Sequence, residues 1–145
     1  AADVPVLGDE AALRQILTNL LANARVHTPA GTRVVVSLTR SDDEAVAACV
    51  RARGRAKGQG KAEGAQASPV VTIRVADDGP GIPPAIRDRV FDRFVRGDSS
   101  RTRDGRGSSG LGMSIVESLA RAMGGSVRLV DSEKGTVIDV TLPAA

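Results

Sequence analysis

The sequence predicts an α/β fold, specifically an α+β two-layer sandwich in which a mixed sheet carries helices on one face. Three observations carry this expectation. RVVVSLT (33–39) and VVTIRVA (70–76) are rich in β-branched residues and read as strands. Two longer stretches, 9–26 and 111–123, repeat apolar residues at helical spacing. The C-terminal residues 126–142 read as two strands joined by the polar turn DSEKG. The 145 residues, 41% of them apolar, suffice for one domain with its own core.

Each element has a local reason. Val4–Leu7 is a short strand candidate closed by Gly8. Asp9 is placed to cap a helix running to Val26, with Leu13, Leu17, Leu20, Leu21 and Ala24 as its apolar stripe and Ile16 beside it. HTPAG (27–31) stops that helix, and Arg33–Thr39 follows as a strand. Residues 41–68, SDDEAVAACVRARGRAKGQGKAEGAQAS, lose periodicity after Val50 and read as a flexible excursion between strands. A basic partner-binding arm is the sharper alternative there, but the acidic and basic residues nearly cancel. After the strand Val70–Ala76 come a Gly/Pro turn (DDGPGIPP), a short helix near Ala85–Arg89, and FDRFVR (91–96). Leu111–Met123 is a helix with Ile115, Leu119 and Met123 on one face, ended by Gly124-Gly125. Ser126–Val130 and Thr136–Leu142 close the chain. The total is five strands and three helices.

Composition narrows the function classes. The single cysteine, Cys49, excludes an internal disulfide and a cysteine metal cluster, and the single histidine, His27, excludes a multi-histidine metal site. Net charge is +3, there is no Trp or Tyr, and Phe91 and Phe94 are the only aromatic rings besides His27, so a nucleic-acid partner is not expected. No apolar run approaches the length of a membrane span, and no signal peptide opens the chain. The sequence begins mid-pattern (AADVPVLGDE), as a domain excised from something longer would, and its Ala/Arg/Gly/Val bias fits a high-GC bacterial genome.

Three segments could carry chemistry. Asp77 is in alternation with Val71, Ile73 and Val75, so it faces the helix-covered side of the sheet, where a carboxylate is costly without a donor. It either receives a ligand's donor or caps its own turn through the following backbone amides, and the segment alone leaves both readings open. Asn19 and Asn23 are i,i+4 neighbours at one edge of the apolar stripe. Their amides could coordinate a hard cation such as Mg²⁺ that bridges to phosphate, or simply bond to a neighbouring loop. GRGSSGLGMS (105–114) contains a formal G-x-G-x-x-G, but no strand precedes it, so it is no dinucleotide fingerprint. No Gly-Lys-Ser/Thr follows either. What remains is a glycine loop feeding a helix N-terminus, able to meet an anion.

Taken together these segments resemble the ATP-binding catalytic domain of bacterial two-component sensor histidine kinases. That family shares a superfamily with DNA gyrase, the ninety-kilodalton heat-shock chaperones and the MutL repair proteins. NLLANARVHTP (19–29) resembles the asparagine box, DDGPG (77–81) the D-x-G-x-G box, FDRFVR (91–96) the phenylalanine box and GSSGLGM (107–113) the second glycine box. The composition points to an actinobacterial member. The resemblance implies a Bergerat-type ATP-binding fold, with a mostly antiparallel five-stranded sheet and three helices on one face. It implies that Asp77 accepts from the adenine amine, that Gly79, Gly81 and Ile82 lie along the base, and that Asn19 and Asn23 hold Mg²⁺ and phosphate as the catalytic pair. It also implies that Gly110, Leu111 and Gly112 border a lid over the triphosphate at 96–109, with Arg101, Arg103 and Arg106 in it, and that Phe91 and Phe94 anchor that lid, Phe94 near the nucleotide.

Two departures are plain. Val26 stands where the family's asparagine box has Lys, with His27 in the aromatic slot nearer the nucleotide, and Ser108 stands where the second glycine box often has Gly. The resemblance further implies a reaction. ATPase members carry a general-base Glu four residues before the key asparagine; here that position is Asn19, and an amide cannot serve as a base. The expected function is therefore transfer of the γ-phosphoryl group from Mg·ATP to a histidine on a separate dimerisation domain, then indirectly to a response regulator. The expected setting is the cytoplasmic part of a membrane sensor, the isolated domain a monomer and the full-length protein a homodimer. The alternatives are an anti-sigma-factor-type serine kinase, a gyrase-like ATPase module, and a non-catalytic nucleotide-binding regulator, the last left open by Val26.

Overall fold

The computed structural model describes residues 4–54, 69–95 and 110–145. Eight elements follow in order: α1 (Glu10–His27), β1 (Val34–Ser41), α2 (Glu44–Gly54), β2 (Val70–Asp77), α3 (Pro84–Arg87), α4 (Gly112–Ala122), β3 (Ser126–Val130) and β4 (Thr136–Pro143). The strands form one sheet in the order β1-β2-β4-β3, and every neighbouring pair is antiparallel. The expected mixed, five-stranded sheet is thus corrected to a four-stranded antiparallel one. The residues expected as a first strand make one bridge, Val6 to Ala144. Pro5 and Pro143 flank that bridge, and neither has an N–H with which to extend a ladder.

α1 starts where Asp9 Oδ1 accepts from the Ala12 amide at 2.9 Å. It ends at Thr28, which is extended (φ −123°, ψ 149°) as the residue before Pro29 prefers to be. Its buried stripe is Ile16, Leu20 and Ala24. Ile16 and Leu20, with Met113, Val116 and Ala120 of α4, pack on Ile73 and Val75 of β2 and Ile138, Val140 and Leu142 of β4. In α4, Ile115, Leu119 and Met123 share one face as expected. Ile115 is exposed, because α4 turns the 113/116/120 face to the sheet and leaves 115 and 119 towards the groove beside α1.

The excursion at 41–68 is corrected in its first part. Glu44–Gly54 is helical, with Asp43 Oδ1 accepting from the Ala45 amide at 2.8 Å at its start. The Ala-rich EAVAACV has high helix propensity, and Ala47 and Val50, three apart, are buried. α2 packs against β3 and β4. Since α1 and α4 occupy the first face, α2 covers part of the opposite one, so the described helices do not all lie on one face as was expected. Residues 55–68 lie outside the described residues.

A glycine marks the turn into β1. Gly31 has φ +87° and nothing within 4 Å of where a Cβ would stand. Gly31→Ala should therefore cost only the left-handed backbone penalty, about 1 kcal/mol, in denaturant unfolding. A loss well above that would mean that the added methyl meets a neighbour after all.

Candidate functional site

The alternation read for β2 places Asp77 at the strand's end, in phase with buried Val71, Ile73 and Val75. Its cross-strand neighbours are Val34 on β1 and Thr136 on β4. Oδ1 of Asp77 accepts from the Gly79 amide at 3.0 Å and the Thr136 amide at 3.2 Å. The turn-capping reading is therefore realised, but on one oxygen. Among the described residues Oδ2 takes neither bond. The next residue, Asp78, faces away and ties the turn to β1, its Oδ1 accepting from the Arg33 amide at 2.8 Å.

Two glycines make this corner possible. A Cβ on Gly79 would stand 2.8 Å from Cγ2 of Thr28, so only glycine lets the turn tuck under the end of α1. Gly135, at φ +72°, seats the β3–β4 turn on β2, and a Cβ there would be driven into the Asp77 carbonyl oxygen. Thr136 owes its place beside Asp77 to that contact.

Asp77 lies at one end of a cavity of about 600 Å³. Of the expected site residues, Asn19, Asn23, His27, Asp77, Gly81, Ile82, Gly110 and Gly112 line it. Gly79 supports Asp77 from behind, and Leu111 precedes α4 as its cap residue without lining the cavity. Phe94 does not line it either: its side chain is 71% exposed and its backbone is left-handed (φ 62°). Of the two rings expected to anchor the lid, Phe91 packs against the core and Phe94 does not. The Phe94 amide instead donates to the Gly110 carbonyl at 2.9 Å, bringing together the chain on either side of 96–109. The expected lid, with Arg101, Arg103 and Arg106, lies outside the described residues. Sequence reasoning missed Thr28, Thr136, Met113, Ile86 and Val90 in the cavity wall. The Gly-Thr pair at 135–136, directly after a turn, was the available signal for Thr136.

At the other end, Asn19 and Asn23 stand on the α1 edge facing α4, as their i,i+4 spacing requires. The Asn19 amide donates to the Gly112 carbonyl at 3.4 Å and accepts from Gln15 Nε2 at 3.0 Å. Gly112 and Met113 bring the start of α4 to the same wall, and no side chain caps that helix. The side chain at 26, valine, adds an apolar patch between the two ends. Among the described lining residues Asp77 and His27 are the only ionisable groups. The cavity thus offers an acceptor at one end, an apolar middle, and amides with a helix start at the other. This arrangement suits a flat base with a donor group joined to an anion.

The donor set also bears on metal. No cluster of three or more His, Cys, Asp or Glu side chains is placed to hold an ion among the described residues. Two neutral amide oxygens fit a hard cation only when phosphate oxygens supply its charge balance, which is how Mg²⁺ accompanies a nucleotide.

Residues 8–145 match the family described as histidine kinase-, DNA gyrase B-, and HSP90-like ATPase. The chain is 39% identical over 140 residues to the probable sensor histidine kinase TcrY of Mycobacterium tuberculosis, covering 97% of this chain and 24% of that protein. It is 35% identical over 139 residues to the sensor histidine kinase CusS of Escherichia coli K12, covering 96% and 23%. The chain therefore spans about a quarter of the length of these curated relatives. Among solved structures, the mycobacterial sensor histidine kinase MprB superposes with a TM-score of 0.68 at 32% identity, covering 96% of this chain and 76% of that one. Full-length ShkA in complex with AMPPNP superposes with a TM-score of 0.62 at 32% identity, covering all of this chain and 24% of that one.

Proposed function

The chain belongs to the histidine kinase-, DNA gyrase B-, and HSP90-like ATPase family, and on that premise we propose that it is the ATP-binding catalytic module of a sensor histidine kinase. The observation that carries this reading is the polarity of the cavity: a half-committed carboxylate at one end, paired amides and a helix start at the other. Asp77 Oδ2 accepts from the exocyclic amine of adenine. Gly81 and Ile82 lie along the base, and Gly110 and Gly112 border the phosphates. Asn19 and Asn23 would hold Mg²⁺ through their amide oxygens, where it would neutralise charge on the triphosphate.

Asp77 is the only carboxylate among the described lining residues, and its Oδ1 is spent on backbone amides. Among the described residues no general base stands at the phosphate end, where the family's ATPases place a Glu and this chain has Asn19. Such a cavity positions the γ-phosphorus for a nucleophile from outside and activates water poorly. The nucleophile is a histidine nitrogen of a dimerisation domain: its bond to phosphorus forms as the bond to the ADP oxygen breaks. His27, the only histidine in these residues, lies in the cavity wall itself. A response regulator takes the phosphoryl group next, and the setting is the cytoplasmic side of a membrane sensor that dimerises through its histidine domain. Among the described residues no helix is long and apolar enough to cross a membrane.

Incubation with γ-labelled ATP tests this. The chain alone should take up no label. With the histidine-bearing domain of its full-length protein added separately, that domain should gain acid-labile label. Label on the chain alone, or phosphate release that outpaces transfer, would overturn the assignment.

A further inference from the structure

We infer that Gln15 is a positioning residue that fixes which atom of the Asn19 amide faces the metal; this rests on the nucleotide-site reading above. An asparagine amide has an acceptor end and a donor end of nearly the same shape, and only one of them can coordinate a cation. On α1, Gln15 lies one turn before Asn19, and its Nε2 donates to Asn19 Oδ1 at 3.0 Å. The other end, Nδ2, donates to the carbonyl of Gly112 at 3.4 Å. The Gly112 carbonyl can only accept, so it selects one orientation, Nδ2 to α4 and Oδ1 to the Gln15 side, and Gln15 holds that orientation by donating to Oδ1.

That orientation is the one a cation needs. Oδ1 has two lone pairs, so it can accept from Gln15 with one and offer the other to Mg²⁺. A reversed amide would present an N–H₂ group to the ion and set an oxygen against the Gly112 carbonyl. Gln15 lies outside the cavity, and its side chain is exposed, so it touches neither nucleotide nor metal. It acts only through Asn19, as a hydrogen-bond partner that orients a metal ligand commonly does. Because Gly112 opens α4, the same contact ties the ligand's orientation to the placement of that helix.

Gln15→Glu tests this with a single atom exchanged in kind, since a carboxylate accepts where the amide donated. ATP binding is measured by calorimetry over a Mg²⁺ titration and again in EDTA, with melting temperature alongside. The expected result is a Mg²⁺ requirement for half-maximal ATP binding raised about tenfold, with affinity in EDTA and melting temperature at wild-type values. Gln15→Met, which removes the donor and adds no acceptor, should fall between. An unchanged Mg²⁺ requirement in Gln15→Glu overturns the inference. So does a lowered one, in which the new carboxylate itself recruits the ion, or an equal loss in EDTA. If the wild-type chain binds ATP without regard to Mg²⁺, the inference fails and the ATP site stands; if it binds no ATP, both fall.

Discussion

Asp77→Asn is expected to weaken ATP binding by roughly a hundredfold or more while leaving the fold intact. The hydrogen bonds at this residue make the substitution unusually selective. Oδ1 accepts from the Gly79 and Thr136 amides, and the carbonyl oxygen of an asparagine can keep both. Only the second oxygen changes, from an acceptor to an N–H₂ donor. That group would then face the donor amine of adenine, leaving two buried donors opposed and the base without its one charged partner. The corner itself, built by Gly79, Gly135 and the Asp77–Thr136 register, does not depend on which atom occupies that place. Calorimetry with ATP and a thermal melt separate the two effects. Affinity should collapse while the melting temperature stays within about 3 °C of wild type. Near-unchanged affinity would contradict the role assigned to Asp77, and a large fall in melting temperature would mean that the carboxylate is structural.

How much of this site is legible in the sequence depends on the range of the interactions that build it. The facing of Asp77 follows from alternation within one strand, and the adjacency of Asn19 and Asn23 from one turn of one helix; both are local geometry. Thr136 donates to a residue 59 positions away, through a strand register that no local pattern encodes. The hydrogen-bonded closure of Phe94 on Gly110 likewise depends on tertiary placement, and with it the exposure of Phe94, which the family resemblance implies is an anchor. α2 is hidden for a different reason. EAVAACV favours a helix by propensity, but its buried face is only two small or medium residues wide, too weak a period to separate from the polar run behind it. In α4 the apolar residues cover about half of the helix, so the periodicity gives the apolar half but not which edge of it meets the sheet and which lies along α1. The covering of the sheet's second face is equally hard to read, because the polar residues in the strands look like solvent-facing alternates. One of them is Asp139.

Asp139→Ala should cost about 3 kcal/mol and lower the melting temperature by about 10 °C, without touching nucleotide affinity. Asp139 sits at the middle of β4 with its side chain 1% exposed, between cross-strand neighbours Arg74 on β2 and Arg128 on β3. Arg74 reaches Oδ1 at 2.7 Å and Oδ2 at 2.8 Å, and Arg128 reaches Oδ2 at 2.9 Å. Burial alone would push this carboxyl up, but the hydrogen bonds from Arg74 and Arg128 and their charges outweigh it and hold it below its ordinary value. Removing it leaves two guanidinium groups, on the two strands that flank β4, with no counter-charge between them. Both are about half exposed and can turn to water, which keeps the cost below that of a fully buried charge left alone. This face is opposite the one that bears Asp77, so the loss is one of stability and not of the site. The pH dependence carries a definite sign. A carboxylate whose folded value is depressed stabilises the protein at pH above its unfolded value, near 3.9, and that contribution disappears as pH falls through the folded value. The stability gap between wild type and Asp139→Asn should therefore be full at pH 7 and shrink below about pH 4. Urea unfolding at pH 7 and at a series of values down to the acid limit measures it. A gap that persists undiminished in acid would show that Asp139 acts there by shape, and a gap near zero at neutral pH would show that α2 and the two arginines hold this face of the sheet without it.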